Sequence, residues 1–331
     1  MRLLINLLAI IVVGFGTAQG AEPVKIRLSW VAPLASWGSI LLEKKDLATH
    51  LGKSYTLETI HFAGTPTMVT ALANGELEVA AFAFSTFPIA IENAGIDDLM
   101  VISDEFQDGA PGYYSVEFKV LADGPIKTVQ DLKGKVLATN VEGSAVDIQM
   151  RAMLHKNGLE DKRDYTVIET PFPTMNVMLM EKKADLVTGV RPFSFDPDFR
   201  KNSRTLFTGR DAVGTTQFSI FTARKSFIDK NRAAMVDFLE DTLRIVHWYL
   251  DPKNHDDVVA IAARLTRQPP DRFGWLFTHE DDYRDPNMVP DLAALQRNMQ
   301  VMKDLGIVRS VLDVSKHADL SLIEEAARRL K

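Results

Sequence analysis

Small polar residues stand where apolar, strand-like runs give way to helix-like ones: Ser36-Trp37, Gly64-Thr65, Ser85-Thr86, Asn140 through Gly143 to Ser144, and Arg191. In an open parallel sheet these strand ends are where ligands bind. Helix starts carry free N–H groups and about half a positive charge, which attract anions. Each hydroxyl can also be an ordinary helix cap serving only its own helix. Arg191, at the end of Asp185–Pro192, is the only arginine among these ends. Its planar fork of donors suits carboxylate, sulfonate or phosphate. Two readings of it stand open: contact with an anionic ligand, or a surface pair with Asp196 or Asp198. Trp37, Phe87, Phe172, Phe193 and Phe195 share these loops, and they suit either an apolar cleft wall or core packing. Glu142 points the other way, toward a cationic part of a ligand or toward solvent.

Other chemistry leaves no linear trace. The chain has no G-x-S-x-G elbow, no G-x-G-x-x-G and no G-x-x-x-x-G-K, and none of its seven histidines lies three to five residues from another. No helix therefore presents a histidine pair to zinc. His61 sits in a strand-like run and reads as a structural histidine. The acidic runs Glu280-Asp281-Asp282 and Asp256-Asp257 read as solvated surface. No nucleophile with an attendant base stands out, and no catalytic residue, cofactor or metal is expected.

The elements that must position these residues alternate. Strands are expected at 24–30, 56–62, 77–84 and 99–106, then at 135–139, 166–170, 184–190 and 217–223. Helices are expected at 36–50, 65–73, 86–93, 144–156 and 175–182. Beyond residue 226 the pattern turns helical, at 227–249, 256–266, 290–305 and 320–330. Two βα-repeat units of parallel-sheet character follow from this. The terminal helices are expected to pack back on the first unit. The chain would then cross between lobes near 109–118 and 214–221. That makes 21–115 with 218–331 one lobe and 116–217 the other.

Bulk properties narrow the setting. Met1-Arg2, an apolar run from Leu3 to Phe15 and Ala18-Gln19-Gly20 read as a secretory signal cut after Gly20. The run is too short for a membrane span, which needs about 20 residues. The chain has no cysteine among its 331 residues. That excludes disulfides, thiolate metal sites, a thiol nucleophile and a lipoprotein anchor. Net charge is −6, which argues against a nucleic-acid partner. A periplasmic location is the expectation.

The segment Ala63-Gly64-Thr65-Pro66 through Ala71-Leu72-Ala73-Asn74-Gly75-Glu76-Leu77-Glu78-Val79-Ala80 resembles a signature of periplasmic solute-binding proteins of the nitrate/sulfonate/taurine group, the superfamily that includes the thiamine-precursor proteins. Pro125 through Lys135, Gly143-Ser144, Asp185 through Pro192, Thr222 through Phe227, Leu305-Gly306-Ile307 and Val314-Ser315-Lys316 resemble further stretches in order. The resemblance implies an α/β, two-lobed periplasmic-binding-protein fold of type II with its ligand cleft between the lobes. It implies a non-enzymatic receptor, expected to act as a monomer, that hands a small organic anion to an ABC permease in the inner membrane. The ligand loops carry over to Ser36, Trp37, Thr65, Ser85, Thr86, Asn140, Gly143, Ser144 and Arg191, with Phe193 beside them. Arg191 departs from the family's pattern, which has a tryptophan before the turn proline. Two rivals share the fold: a thiamine-precursor-type synthase, and a sensor for a membrane signalling partner.

Overall fold

Alternating apolar residues in Val24–Trp30 (β1) and Tyr55–His61 (β2) pair in parallel, Val24 against Tyr55 through Trp30 against His61. The computed structural model describes residues 22–330, so the expected signal segment lies outside the described residues. Ala80–Ala83 (β3) joins β1 through a parallel bridge from Leu28 to Val79. Leu99–Asp108 (β4) then leads out of the sheet toward Glu117–Leu121 (β5). Lys135–Thr139 (β6), Tyr165–Glu169 (β7) and Leu186–Gly189 (β8) run parallel. Ser203–Thr208 (β9) pairs with β5, and Thr216–Arg224 (β10) returns between β3 and β4. The two resulting orders, β2-β1-β3-β10-β4 and β7-β6-β8-β5-β9, have the same form.

Both sheets are mixed, which corrects the all-parallel expectation. β10 runs antiparallel to β3 and β4, and β5 runs antiparallel to β8 and β9. The reason is topological: each of these strands enters its sheet from the other lobe, so it arrives reversed. β5 and β9 escaped sequence reading because one is short with a lysine at its centre and the other is polar (SRTLFT).

Each sheet is apolar on both faces, with period two. Ala81 and Phe221 face one core, shared with Ile26, Leu28 and the helix Lys225–Leu250; Ala80, Phe82 and Ile220 face another, shared with the helix Leu292–Asp304. In the second sheet Leu137 and Leu186 pack with the helix Ala145–Lys156, while Ala138 and Val187 pack with Met175 and Leu179. The segment read as one helix over 36–50 forms two 3-10 turns, Trp37–Ser39 and Leu41–Leu47. It is drawn tightly onto β1, where a Cβ on Gly38 would meet Trp30 Cβ at 3.1 Å and Ser29 O at 3.2 Å.

Two segments connect the lobes, 109–116 and 209–215, and they lie side by side. Arg210 donates to Gly109 O (2.8 Å) and Ala110 O (2.7 Å), and Gly209 N donates to Val116 O (2.8 Å). Asp108, fully buried, accepts from Val116 N (2.6 Å), Ser115 Oγ (3.2 Å) and Gln149 Nε2 (2.8 Å). These bonds tie both crossings to the second lobe's helix. Burial pushes the Asp108 carboxyl up to about 6 against them.

Candidate functional site

Between the lobes lies a small inner cavity of about 70 Å³. Its walls are mostly small or aromatic: Ala81, Ala83 and Phe218 from the first sheet, Val146 and Phe172 from the second lobe. Five of the ten expected ligand residues line it: Ser36, Thr65, Asn140, Ser144 and Arg191. Each lies where a strand ends, so the parallel strands of both sheets aim their carboxyl ends at this space.

The other five stand elsewhere. Thr86 is fully buried one step behind, its Oγ1 2.6 Å from that of Thr65. Ser85 donates across the cleft to Gly143 O at 2.8 Å. Gly143 adopts φ +78°, open to glycine, and its N–H is taken by Asp147 Oδ2 at 2.9 Å. Trp37 is 1% exposed and stacks on Phe277 in the first lobe's core. Its backbone N–H donates to Glu105 at 2.9 Å. Phe193 lies outside the inner cavity, beside Phe172. The lobes touch at this rim: Asn140 Nδ2 donates to Ala63 O (3.2 Å), and a Cβ on Gly64 would meet Val141 Cγ2 at 2.7 Å.

Arg191 is 4% exposed and, among the described residues, has no carboxylate partner. Asp196 instead caps the helix Pro197–Asn202 and meets Arg272 at 3.4 Å. The guanidinium sits 3.9 Å from the ring centroids of Tyr114 and Phe195 and 4.6 Å from Trp275. Tyr114 is fixed by donating to Gly189 O at 2.7 Å. Aromatic faces stabilise the cation, but they leave its N–H groups without acceptors. Nε and Nη1 are buried with no hydrogen-bond partner among the described residues. Desolvation lowers the guanidinium from its ordinary value.

Two acids line the cavity that sequence reasoning missed, Glu105 and Asp282. Glu105 is 1% exposed, accepting from Trp37 N and, at 2.5 Å, from Ser219 Oγ. Burial pushes it up to about 7. Asp282 is buried, and among the described residues no group donates to its carboxyl. Desolvation, with Asp281 alongside, holds it well above the usual carboxylate range. The reading of Glu280-Asp281-Asp282 as solvated surface is therefore corrected. Asp281 is fully buried because it accepts from Phe277 N (2.9 Å) and pairs with buried Arg284 (3.1 Å). The available signal was acidic residues inside an apolar strand, as in Asp104, Glu105 and Asp108 of β4. Glu142 is exposed at the surface and faces Arg151 at 3.5 Å.

Among the described residues one cluster has metal-ligand geometry, His50, Asp237 and Glu240. Arg329 and Arg244 already pair with its acids, at 2.9 Å and 2.7 Å. The positive charge the acids need is thus supplied by the protein. No described helix is long and apolar enough to cross a membrane.

No curated protein matches the chain in sequence. Solved structures match it in fold. The alkanesulfonate-binding protein SsuA from Xanthomonas axonopodis pv. citri, bound to MOPS, superposes with a TM-score of 0.71 at 16% identity, covering 91% of this chain and 99% of that one. The periplasmic nitrate-binding protein NrtA from Synechocystis PCC 6803 gives 0.72 at 15%, covering 94% and 90%. The desulfurization enzyme DSZB gives 0.66 at 13%, covering 93% and 100%. The fold is thus the two-lobed one of periplasmic binding proteins, and it also carries an enzyme. The same sequence that builds these sheets and strand ends matches a family model over residues 19–263, and the chain belongs to the NMT1-like family.

Proposed function

We propose that this protein is the periplasmic receptor of an ABC importer and captures a small organic anion, a sulfonate or carboxylate, by closing its lobes. The observation that carries this is Arg191. Among the described residues it is the only basic side chain lining the inner cavity, and two of its buried nitrogens lack acceptors there. An oxyanion supplies what they lack and offsets the cost of a buried unpaired charge. Glu105 and Asp282 do not oppose this. Burial shifts both carboxyls toward their neutral form, which lessens their repulsion of an anion. Solved proteins of this fold named for alkanesulfonate and nitrate binding support an anion as the ligand class.

Ser36 and Thr65 stand on one lobe, Asn140, Ser144 and Arg191 on the other. A ligand touching both sets binds the closed form better than the open one and shifts the population accordingly. Among the described residues the lining carries no histidine, lysine or cysteine, so nothing in it favours the synthase reading. A thermal-shift screen tests the proposal with taurine, alkyl and aryl sulfonates, aromatic carboxylates, nitrate and pyrimidines. A ligand at a hundred times its dissociation constant stabilises by about 2.7 kcal/mol. Stabilisation by a sulfonate or carboxylate is the expected result; stabilisation by cationic or neutral compounds alone overturns it.

A further inference from the structure

Outside the inner cavity lies a larger outer chamber of about 670 Å³. The two spaces adjoin each other: Val31, Asn140 and Phe172 line both. The outer walls come from three parts of the fold. Trp30 belongs to the first sheet, Phe172 and Phe193 to the second lobe, and Leu265 and Phe273 to the segment after residue 254. Phe172 and Phe193 stack with centroids 6.5 Å apart. Leu265 is 40% exposed, one of the few large apolar side chains left so open. The chamber's polar groups are largely engaged: His61 bonds Val31 O at 3.1 Å, and Asp196 pairs with Arg272. It offers rings and methyls, with no free charge.

We propose that this chamber holds the apolar, ring-bearing tail of the same ligand whose acid group binds at Arg191. The inference rests on the anion-receptor reading and names the ligand class within it: an elongated aryl or arylalkyl acid rather than a one- or two-carbon sulfonate. Rings of both lobes would close on the tail, so the tail itself would add to the closed state's advantage. Burying one phenyl ring removes enough apolar surface from water to change affinity by tenfold or more.

Calorimetry with ethanesulfonate and 4-phenylbutanesulfonate tests this, with propionate and 5-phenylpentanoate as the carboxylate pair. The arylalkyl acid is expected to bind at least about tenfold tighter than its short counterpart. Leu265→Asp places a charge on the exposed rim, where folding tolerates it. It should cut the long ligand's affinity by about tenfold and leave the short one's within about twofold. Phe193→Ala should shrink the same ratio. A neutral fluorescent arylamine, N-phenyl-1-naphthylamine, reads the chamber without any acid group. It should brighten on the wild-type protein, be displaced by the long acid only, and lose brightness in L265D. Equal affinities for short and long acids, or a ratio untouched by both variants, overturn the proposal. If no acid of either length binds, the anion-receptor reading falls. The dye then decides the chamber alone: enhancement lost in L265D upholds an apolar subsite, and no enhancement overturns it.

Discussion

A guanidinium held between Tyr114 and Phe195 binds differently from one in water. It has lost its hydration and its rotamer freedom before the ligand arrives. Arg191→Ala is expected to weaken binding of the anion by roughly 1.5–3 kcal/mol. Arg191→Lys should restore less than half of that, because a point charge neither stacks on the rings nor offers a fork. Titration calorimetry showing unchanged affinity in R191A would remove Arg191 from the site. This residue was legible in the sequence, being the one arginine at a strand end. Glu105 and Asp282 were not, because charge in a sequence reads as exposure by default. Glu105 is held by partners far along the chain, Ser219 and Trp37, while Asp282 lies within the turn that the buried Asp281–Arg284 pair draws inward.

The buried acids also set a pH response. Glu105 titrates at about 7 in the folded protein against an ordinary 4.5. Between those values the native state keeps a proton that the unfolded chain has released. Stability therefore falls as pH rises through this window, by up to about 1.4 kcal/mol per unit, and levels off above it. Asp104, raised to about 8, and Asp108, to about 6, act with the same sign. Asp164, lowered to about 2, acts with the opposite sign and only at more acidic pH. Melting curves from pH 5 to 8 should show Tm falling, with a shallower fall in Glu105→Gln. Equal slopes in the two proteins would mean that Glu105 is ionised throughout.

Among the elements, those with a strong period were legible. Alternation located β1, the runs at β2 and β6 read as strands, and Ser144 with Asp147 three residues on located Ala145–Lys156. Sequence reading failed where tertiary contact overrides local preference. Residues 36–50 carry helix-forming leucines and lysines, yet packing at Gly38 holds them as 3-10 turns. Gly64 shows the same dominance of contact over propensity. Its φ of −172° is open to any residue, so only space requires glycine there. Gly64→Ala would place a Cβ 2.7 Å from Val141 Cγ2 and 3.0 Å from Asn140 Nδ2, both on the opposite lobe. We expect it to lower ligand affinity about tenfold while changing Tm little, because it penalises closure rather than either core. Calorimetry beside small-angle scattering checks this. A lowered Tm with unchanged affinity would show that the contact belongs to folding and not to closure.

At the scale of the molecule, the two sheets differ in how the chain completes them. All five strands of the second sheet come from one continuous stretch, Glu117 to Thr208. The first sheet has β10 at an interior position between β3 and β4, more than a hundred residues downstream of both. Its two cores wait further still, for Phe238 and Leu239 on one face and Leu295 and Met299 on the other. Pairings of such long sequence separation form late and slowly. The lobe that begins the polypeptide is therefore the one that finishes folding last. A nascent chain that has reached Val213 already holds every strand of the second lobe, while its own first hundred residues still lack the strand that closes their sheet.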